Sequence, residues 1–293
     1  MKYNETFTII SCMVPLVVLS PLPVEGNELI IYSKEGSEIY ARHWNDQLKA
    51  WSEVSYKKGK IIFSLYPKPK HIEESGVTAF SLDKNSLSPA GYIILIQRIQ
   101  RGELYLENGG TKATETSYCD AINMKTGCVM QTRPASYCSG TWGKNWKPSY
   151  PEYTAPSGLE TTSPSDILSS IKRLKTPPDK AEAINSYIYM SIESYLSCYP
   201  LAPSNLSELN DIGFYLAEGG DTLSALRIYR KLEKAYPSRV VLKLNIADVL
   251  WETENKAEAG PYYKKYRDGM KEHGLLKKIP ARVDERIKYL SHK

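Results

Sequence analysis

The chain has 293 residues, of which 42% are hydrophobic and 24% charged, and Lys+Arg 38 against Asp+Glu 33 leaves a net charge of +5. Such usage excludes a collagen, a mucin-like stalk and a wholly disordered chain, while the length suits one large domain or two ordinary ones. The basic excess is small and scattered rather than gathered into a stripe, which sets nucleic acid aside as a partner.

Near the N-terminus an uncharged apolar run of 12 residues extends from Thr8 to Leu19. A helix that short does not cross a bilayer, but it suits the hydrophobic region of a signal peptide. Val24 and Gly26 put β-branched and small residues before the next position, so the expectation is a signal peptide over residues 1–26, cleaved after Gly26. A buried N-terminal strand is the alternative. No other segment approaches a membrane span, so no transmembrane segment is expected after cleavage, and the localisation read from this pattern is periplasmic or secreted. Loss of Lys2, Glu5 and Glu25 leaves 37 basic and 31 acidic residues, a net charge of +6.

Export changes how the five cysteines are read. Without Cys12 the remainder, Cys119, Cys128, Cys138 and Cys198, is even in number, as an oxidising compartment favours. All three pairings stay open, and a bond to Cys198 would tie the two halves of the chain together. Zinc fits poorly, because the three clustered cysteines form no C-x₂-C knuckle and no His lies between Cys119 and Cys138. No metal or cofactor is expected.

Over residues 27–147 the pattern is short strands punctuated by turns. Leu29–Tyr32, Glu38–Ala41, Ile61–Tyr66 and Tyr92–Ile96 are rich in β-branched and aromatic residues. One helix, His43 to Val54, is expected to interrupt them. Ser88-Pro89-Ala90-Gly91-Tyr92 before an apolar strand, and the Thr126-Gly127 turn ahead of Cys128-Val129, resemble the hairpins of β-propeller-type repeats. The resemblance spans residues 88–130, and the strands are too few for a full propeller. The expectation is an antiparallel β-rich domain carrying the cysteine cluster.

A change of character follows, with Trp142, Trp146, Tyr150 and Tyr153 interleaved with lysines and prolines up to a Pro/Tyr-rich linker at residues 148–165. Two readings apply. These four aromatics are candidates for binding a partner, since aromatics and cations anchor interfaces. The preferred reading is plainer: a disulfide-pinned stretch whose rings cover the sheet.

Residues 166–293 have helical periodicity. Asp166–Leu174 and Lys180–Leu196 are expected helices, the second introduced by Pro177-Pro178-Asp179. Beyond them Leu209, Ile212, Gly213, Leu216, Ala225, Tyr229 and Pro237 follow one another at set offsets. A shift of 34 residues finds Ile246, Ala247, Leu250, Ala259 and Tyr263, with the small–large alternation in register. These positions resemble the packing signature of tetratricopeptide repeats. The resemblance implies two repeats over residues 206–273, each a pair of helices meeting at a small residue, with Gly219-Gly220-Asp221 as a turn and a capping helix from about Pro280 to Leu290. Lys243 departs from it where an apolar residue is expected, and Lys271 stands in place of a closing proline. The fold class expected overall is α+β, a β-rich domain followed by an all-α array.

A search for catalytic constellations turns up little. No H-E-x-x-H, G-x-S-x-G, P-loop or G-x-G-x-x-G is present. Ser169-x-x-Lys172 and Lys125-Thr126-Gly127 occur in the reverse of their order in penicillin-binding enzymes and read as chance. Glu73, Glu74 and Asp83 have the residue type of a glycosidase pair but read as solvated loop charge. The expectation is a non-enzyme: an exported protein-interaction protein of the bacterial cell envelope, resembling the immunity proteins that neutralise periplasm-acting toxins. Its partner would be a toxin or an envelope protein. An envelope-assembly or secretion scaffold and a peptidoglycan- or glycan-active envelope enzyme are the alternatives.

Overall fold

The computed structural model describes residues 28–67, 78–82, 84–106, 109–149 and 158–291. The expected signal peptide lies outside the described residues, as do Tyr150, Tyr153, Glu73, Glu74 and Asp83. The architecture is α+β, with an antiparallel sheet followed by an array of helices.

Eight strands form the main sheet: β1 (Glu28–Tyr32), β2 (Ser37–Asn45), β3 (Ala50–Lys58), β4 (Ile61–Ser64), β5 (Thr78–Ser81), β6 (Ile93–Tyr105), β7 (Thr111–Asn123) and β8 (Cys128–Pro134). Their order is β1-β2-β3-β5-β6-β7-β8, and β4 also pairs with β3. The longest ladder joins β6 to β7, from Ile93 opposite Asn123 to Tyr105 opposite Thr111.

Residues 43–54 are not a helix. They end β2, turn, and begin β3, with Trp44 opposite Trp51 and Asn45 opposite Ala50. Two local effects win over helical periodicity. The Asn45 side-chain oxygen accepts from the backbone N–H groups of Gln47 and Leu48, closing an Asx-type turn. Across the strands, the Trp44 and Trp51 rings meet edge to face at 5.1 Å.

Strand alternation gives the sheet two unlike faces. On the front, Ile39, Val54, Tyr56, Ile94, Ile96, Ile122 and Val129 merge with the helices into one core. On the back, Leu95, Cys119 and Ala121 make a smaller cluster with Tyr137 and Trp146. That second cluster is roofed by a 3₁₀ turn (Ala135–Cys138) and a short hairpin, β9 (Gly140–Trp142) and β10 (Trp146–Pro148). A disulfide between Cys119 and Cys138 pins the roof to β7.

The helices are α1 (Pro164–Ile171), α2 (Pro177–Tyr187), α3 (Ile192–Cys198), α4 (Leu206–Glu218), α5 (Thr222–Ala235), α6 (Val240–Glu252), α7 (Lys256–Glu272) and α8 (Ala281–Ser291). Ser163, Thr176, Ser191 and Asp221 cap α1, α2, α3 and α5 by accepting a backbone N–H with their side chains. The single helix expected over residues 180–196 is therefore two. Ser191 starts a new helix, and the intervening Ile188 and Met190 turn inward to 5% and 2% exposure. Burial of those two apolar side chains, together with the cap, outweighs continuation of α2.

From α4 to α7 the helices pair as α4 with α5 and α6 with α7, and α8 packs on α7. Leu216, Ala225, Tyr229, Ala247, Leu250, Ala259 and Tyr263 are all at most 1% exposed. Pro237 lies exposed between α5 and α6. Lys243 is accommodated by an ion pair to Glu233 at 2.7 Å. Gly213 sits where α4 crosses α5, and a Cβ there would lie 2.7 Å from the Tyr229 ring. Gly213→Val is accordingly expected to lower stability by about 2 kcal/mol through overpacking. Gly102→Val, at a site with nothing within 4 Å of an added Cβ, is the control. Urea unfolding midpoints of the two variants check the difference.

Sheet and helices are stitched together by α3. A second disulfide joins Cys128 at the start of β8 to Cys198 at the end of α3. The Ser194 hydroxyl accepts from the Val129 N–H and donates to the Gly127 carbonyl at 2.7 Å. The Ser191 N–H donates to the Leu65 carbonyl at 2.9 Å. Two disulfides are consistent with an oxidising environment outside the cytoplasm. No helix among the described residues is long and apolar enough to cross a membrane.

Candidate interaction site

Where the front of the sheet meets α2, α3 and α5, a cleft of about 720 Å³ opens. Its floor is built by alternation. Ile94 and Ile96 face the core, so Arg98, two residues further along β6, faces the same way. Tyr118 on β7 is directly opposite Arg98, and Asp120 is opposite Ile96.

The Arg98 side chain is 4% exposed and Asp120 fully buried. Arg98 Nε–H donates to Asp120 Oδ2 at 2.7 Å. The Tyr66 hydroxyl donates to the same oxygen at 2.8 Å, and the Thr132 hydroxyl donates to Oδ1 at 2.5 Å. Asp120 thus receives three donors, which satisfies a carboxylate that solvent does not reach. Around the guanidinium carbon stand the rings of Tyr118 at 4.5 Å, Tyr189 at 5.1 Å and Tyr66 at 5.6 Å. Tyr189 reaches this place because it lies in the break between α2 and α3.

The electrostatics follow from burial. Burial pulls the Arg98 guanidinium toward neutrality, but the Asp120 carboxylate more than offsets this and raises it above its ordinary value. Tyr66 is raised well above the usual phenol range, first by burial and then by the adjacent Asp120 charge. Burial also raises Tyr189, and it pushes Tyr137 on the back of the sheet up to about 12.

A pH dependence follows. These phenols are favoured in their neutral form when folded, so their contribution is fully present below the unfolded value of 10.0. It is lost as pH rises through the folded values. Stability is therefore expected to decline above pH 10, with a late tyrosinate absorbance step coinciding with loss of far-ultraviolet circular dichroism. An early, separate absorbance step for all tyrosines would contradict this.

A second depression of about 320 Å³ lies between α4, α6 and α8. Phe214, 40% exposed, stands on its α4 wall. Asp248 on α6 holds Arg282 and Arg286 of α8, each at 2.7 Å, and accepts from the Tyr263 hydroxyl at 2.8 Å. Arg286 also reaches Glu252 at 3.0 Å and sits over the Trp251 ring at 4.9 Å. Asn245 donates to Asn210 across α6 and α4 at 3.0 Å. The groove therefore combines one exposed aromatic with rigidly held charges of both signs.

Among the residues singled out from sequence, Cys119 pairs with Cys138 and Cys128 with Cys198. Trp146 is 6% exposed, and its indole N–H donates to the Tyr137 carbonyl at 3.2 Å. Trp142 is half-buried against it, with ring centroids 4.9 Å apart, and donates to the Ser86 carbonyl at 3.3 Å. These two rings pack on the back of the sheet, Trp146 buried and Trp142 half-buried. Lys125-Thr126-Gly127 forms the turn between β7 and β8, and Ser169 donates to the Ser165 carbonyl on α1, so the structure does not bring those motifs into one site.

No short sequence motif marks the Arg98 cleft. The signal available was the alternation Ile94–Ile96–Arg98, which puts a cation on a strand's buried face. No protein-family model matches the chain, and no curated protein matches it at a significant level.

Proposed function

We propose that this is an exported, non-enzymatic interaction protein of the bacterial cell envelope, acting as an immunity-type inhibitor of a periplasm-acting toxin. The observation that carries the reading is the groove between α4, α6 and α8, where exposed Phe214 is flanked by the fixed Asp248–Arg282–Arg286 cluster. Helical arrays resembling tetratricopeptide repeats bind peptides or domains across successive helix pairs, and an aromatic anchor ringed by ordered charge is the usual makeup of a binding hot spot. The two disulfides support action in an oxidising compartment, for which the periplasm is the proposed location.

The test is co-purification from periplasmic extract with wild type and Phe214→Asp. An inhibitor returns one dominant toxin-like protein with roughly nanomolar affinity, abolishes that protein's toxicity, and loses both properties in the variant. Recovery of a large envelope complex would assign the protein to assembly or secretion instead. Capture undiminished by Phe214→Asp would remove the groove from the interface.

A further inference from the structure

The cleft between sheet and helices contains a guanidinium with donors open to it. A guanidinium has five N–H donors. Arg98 uses its Nε–H on Asp120, and its two terminal amino groups have no hydrogen-bond partner among the described residues, although the side chain is 4% exposed and lines the cleft. Asp120 does not serve them either: the donors it takes are Arg98 Nε–H, Tyr66 and Thr132. Among the described residues the fully buried side-chain atoms without a partner are Glu208 Oε2 and Arg239 Nε, so the Arg98 amino groups are open to the cleft, where a ligand can meet them.

From this arrangement we infer that the cleft is a binding site for a carboxylate, held by the terminal amino groups of Arg98. Three observations narrow the ligand to that class. Tyr66, Tyr118 and Tyr189 surround the guanidinium, which orients it and leaves the edge beyond Nε to meet an acceptor. A planar two-nitrogen edge matches the two oxygens of a carboxylate. The neighbouring Asp120 charge opposes a phosphate dianion more strongly than a monoanion. Arg227 adds a second cation to the cleft lining, although Glu193 lies 3.7 Å from it. A volume of about 720 Å³ holds a small carboxylic acid, an acidic side chain or a chain end.

The site stands apart from the interaction reading above, since a free carboxylic acid would occupy it as well as a protein partner's carboxylate. It is tested by following the Arg98 side-chain ¹⁵N–H signals in the oxidised protein while acetate, or its neutral analogue acetamide, is added at constant ionic strength. Saturable shifts with acetate and none with acetamide are expected. Linear shifts with acetate, or equal responses to both, overturn the proposal.

Arg98→Lys keeps a charge beside Asp120 but removes the paired donors. It is expected to weaken acetate binding at least about tenfold, the equivalent of one charge-assisted hydrogen bond. The wild-type titration decides the matter even if that variant does not fold. Two capped peptides then separate the sources. One has an internal aspartate and an amidated end, the other a free C-terminal carboxylate and no acidic side chain. Binding of either assigns the carboxylate to a side chain or to a chain end, and binding of neither, with acetate saturable, assigns it to a free acid.

Discussion

Arg98→Leu is expected to destabilise the protein by about 3–5 kcal/mol, because it leaves the Asp120 carboxylate buried without its cation. The pair is buried on both sides, and only the Tyr66 and Thr132 hydroxyls would remain to hold the charge. Arg98→Leu/Asp120→Leu is expected to recover much of the loss, since a buried ion pair replaced by apolar side chains of similar volume is often close to neutral. Urea unfolding midpoints of both variants check this. A loss below about 1 kcal/mol would mean that water in the cleft solvates Asp120 well enough to replace Arg98.

Removal of the Cys128–Cys198 bond is the other change with a large expected effect. Its 70-residue separation corresponds in the chain-entropy account to about 4 kcal/mol. The 19-residue separation of Cys119 and Cys138 corresponds to about 3 kcal/mol. The larger loop also joins the two structural halves, so Cys128→Ser/Cys198→Ser should do more than lower the midpoint. With the hydrogen bonds of α3, those of Glu160 and Thr161 to β8, and apolar contacts left at the junction, the far-ultraviolet melt is expected to split into separate helical and sheet transitions. Cys119→Ser/Cys138→Ser is expected to lower the midpoint without splitting it. A single cooperative melt in the first variant would show that packing across the front of the sheet suffices to couple the halves.

Much of this architecture can be read from the residues, for identifiable reasons. The helices of residues 206–273 are legible because Gly213, Ala225 and Tyr229 each have one packing task, and a 34-residue shift finds residues of similar size at Ala247, Ala259 and Tyr263. The hairpin at residues 43–54 is misread because a charged and apolar alternation that short satisfies either period, and the deciding interactions are an Asx turn and a Trp–Trp contact across strands. The break at Ile188–Met190 is hidden because it depends on burial against a sheet far away in the chain.

The Arg98 cleft is less legible again. Arg98, Tyr66, Asp120, Thr132 and Tyr189 come from four strand regions and an interhelical turn, and no short motif links them. Of the aromatic candidates, Trp142 and Trp146 share the bland physics of covering a sheet, which composition alone does not separate from the physics of binding.

One further consequence comes from two neighbouring residues of β7. Cys119 points to the back of the sheet, toward Cys138, and Asp120 points to the front, toward Arg98. A slip of this strand by a single residue would exchange the two faces. The carboxylate would then lie against Tyr137 and Trp146, and the thiol would face the guanidinium. In that arrangement the Cys119–Cys138 bond cannot close. The Cys119–Cys138 bond is therefore compatible only with the register that sets the charged floor of the cleft on the front of the sheet.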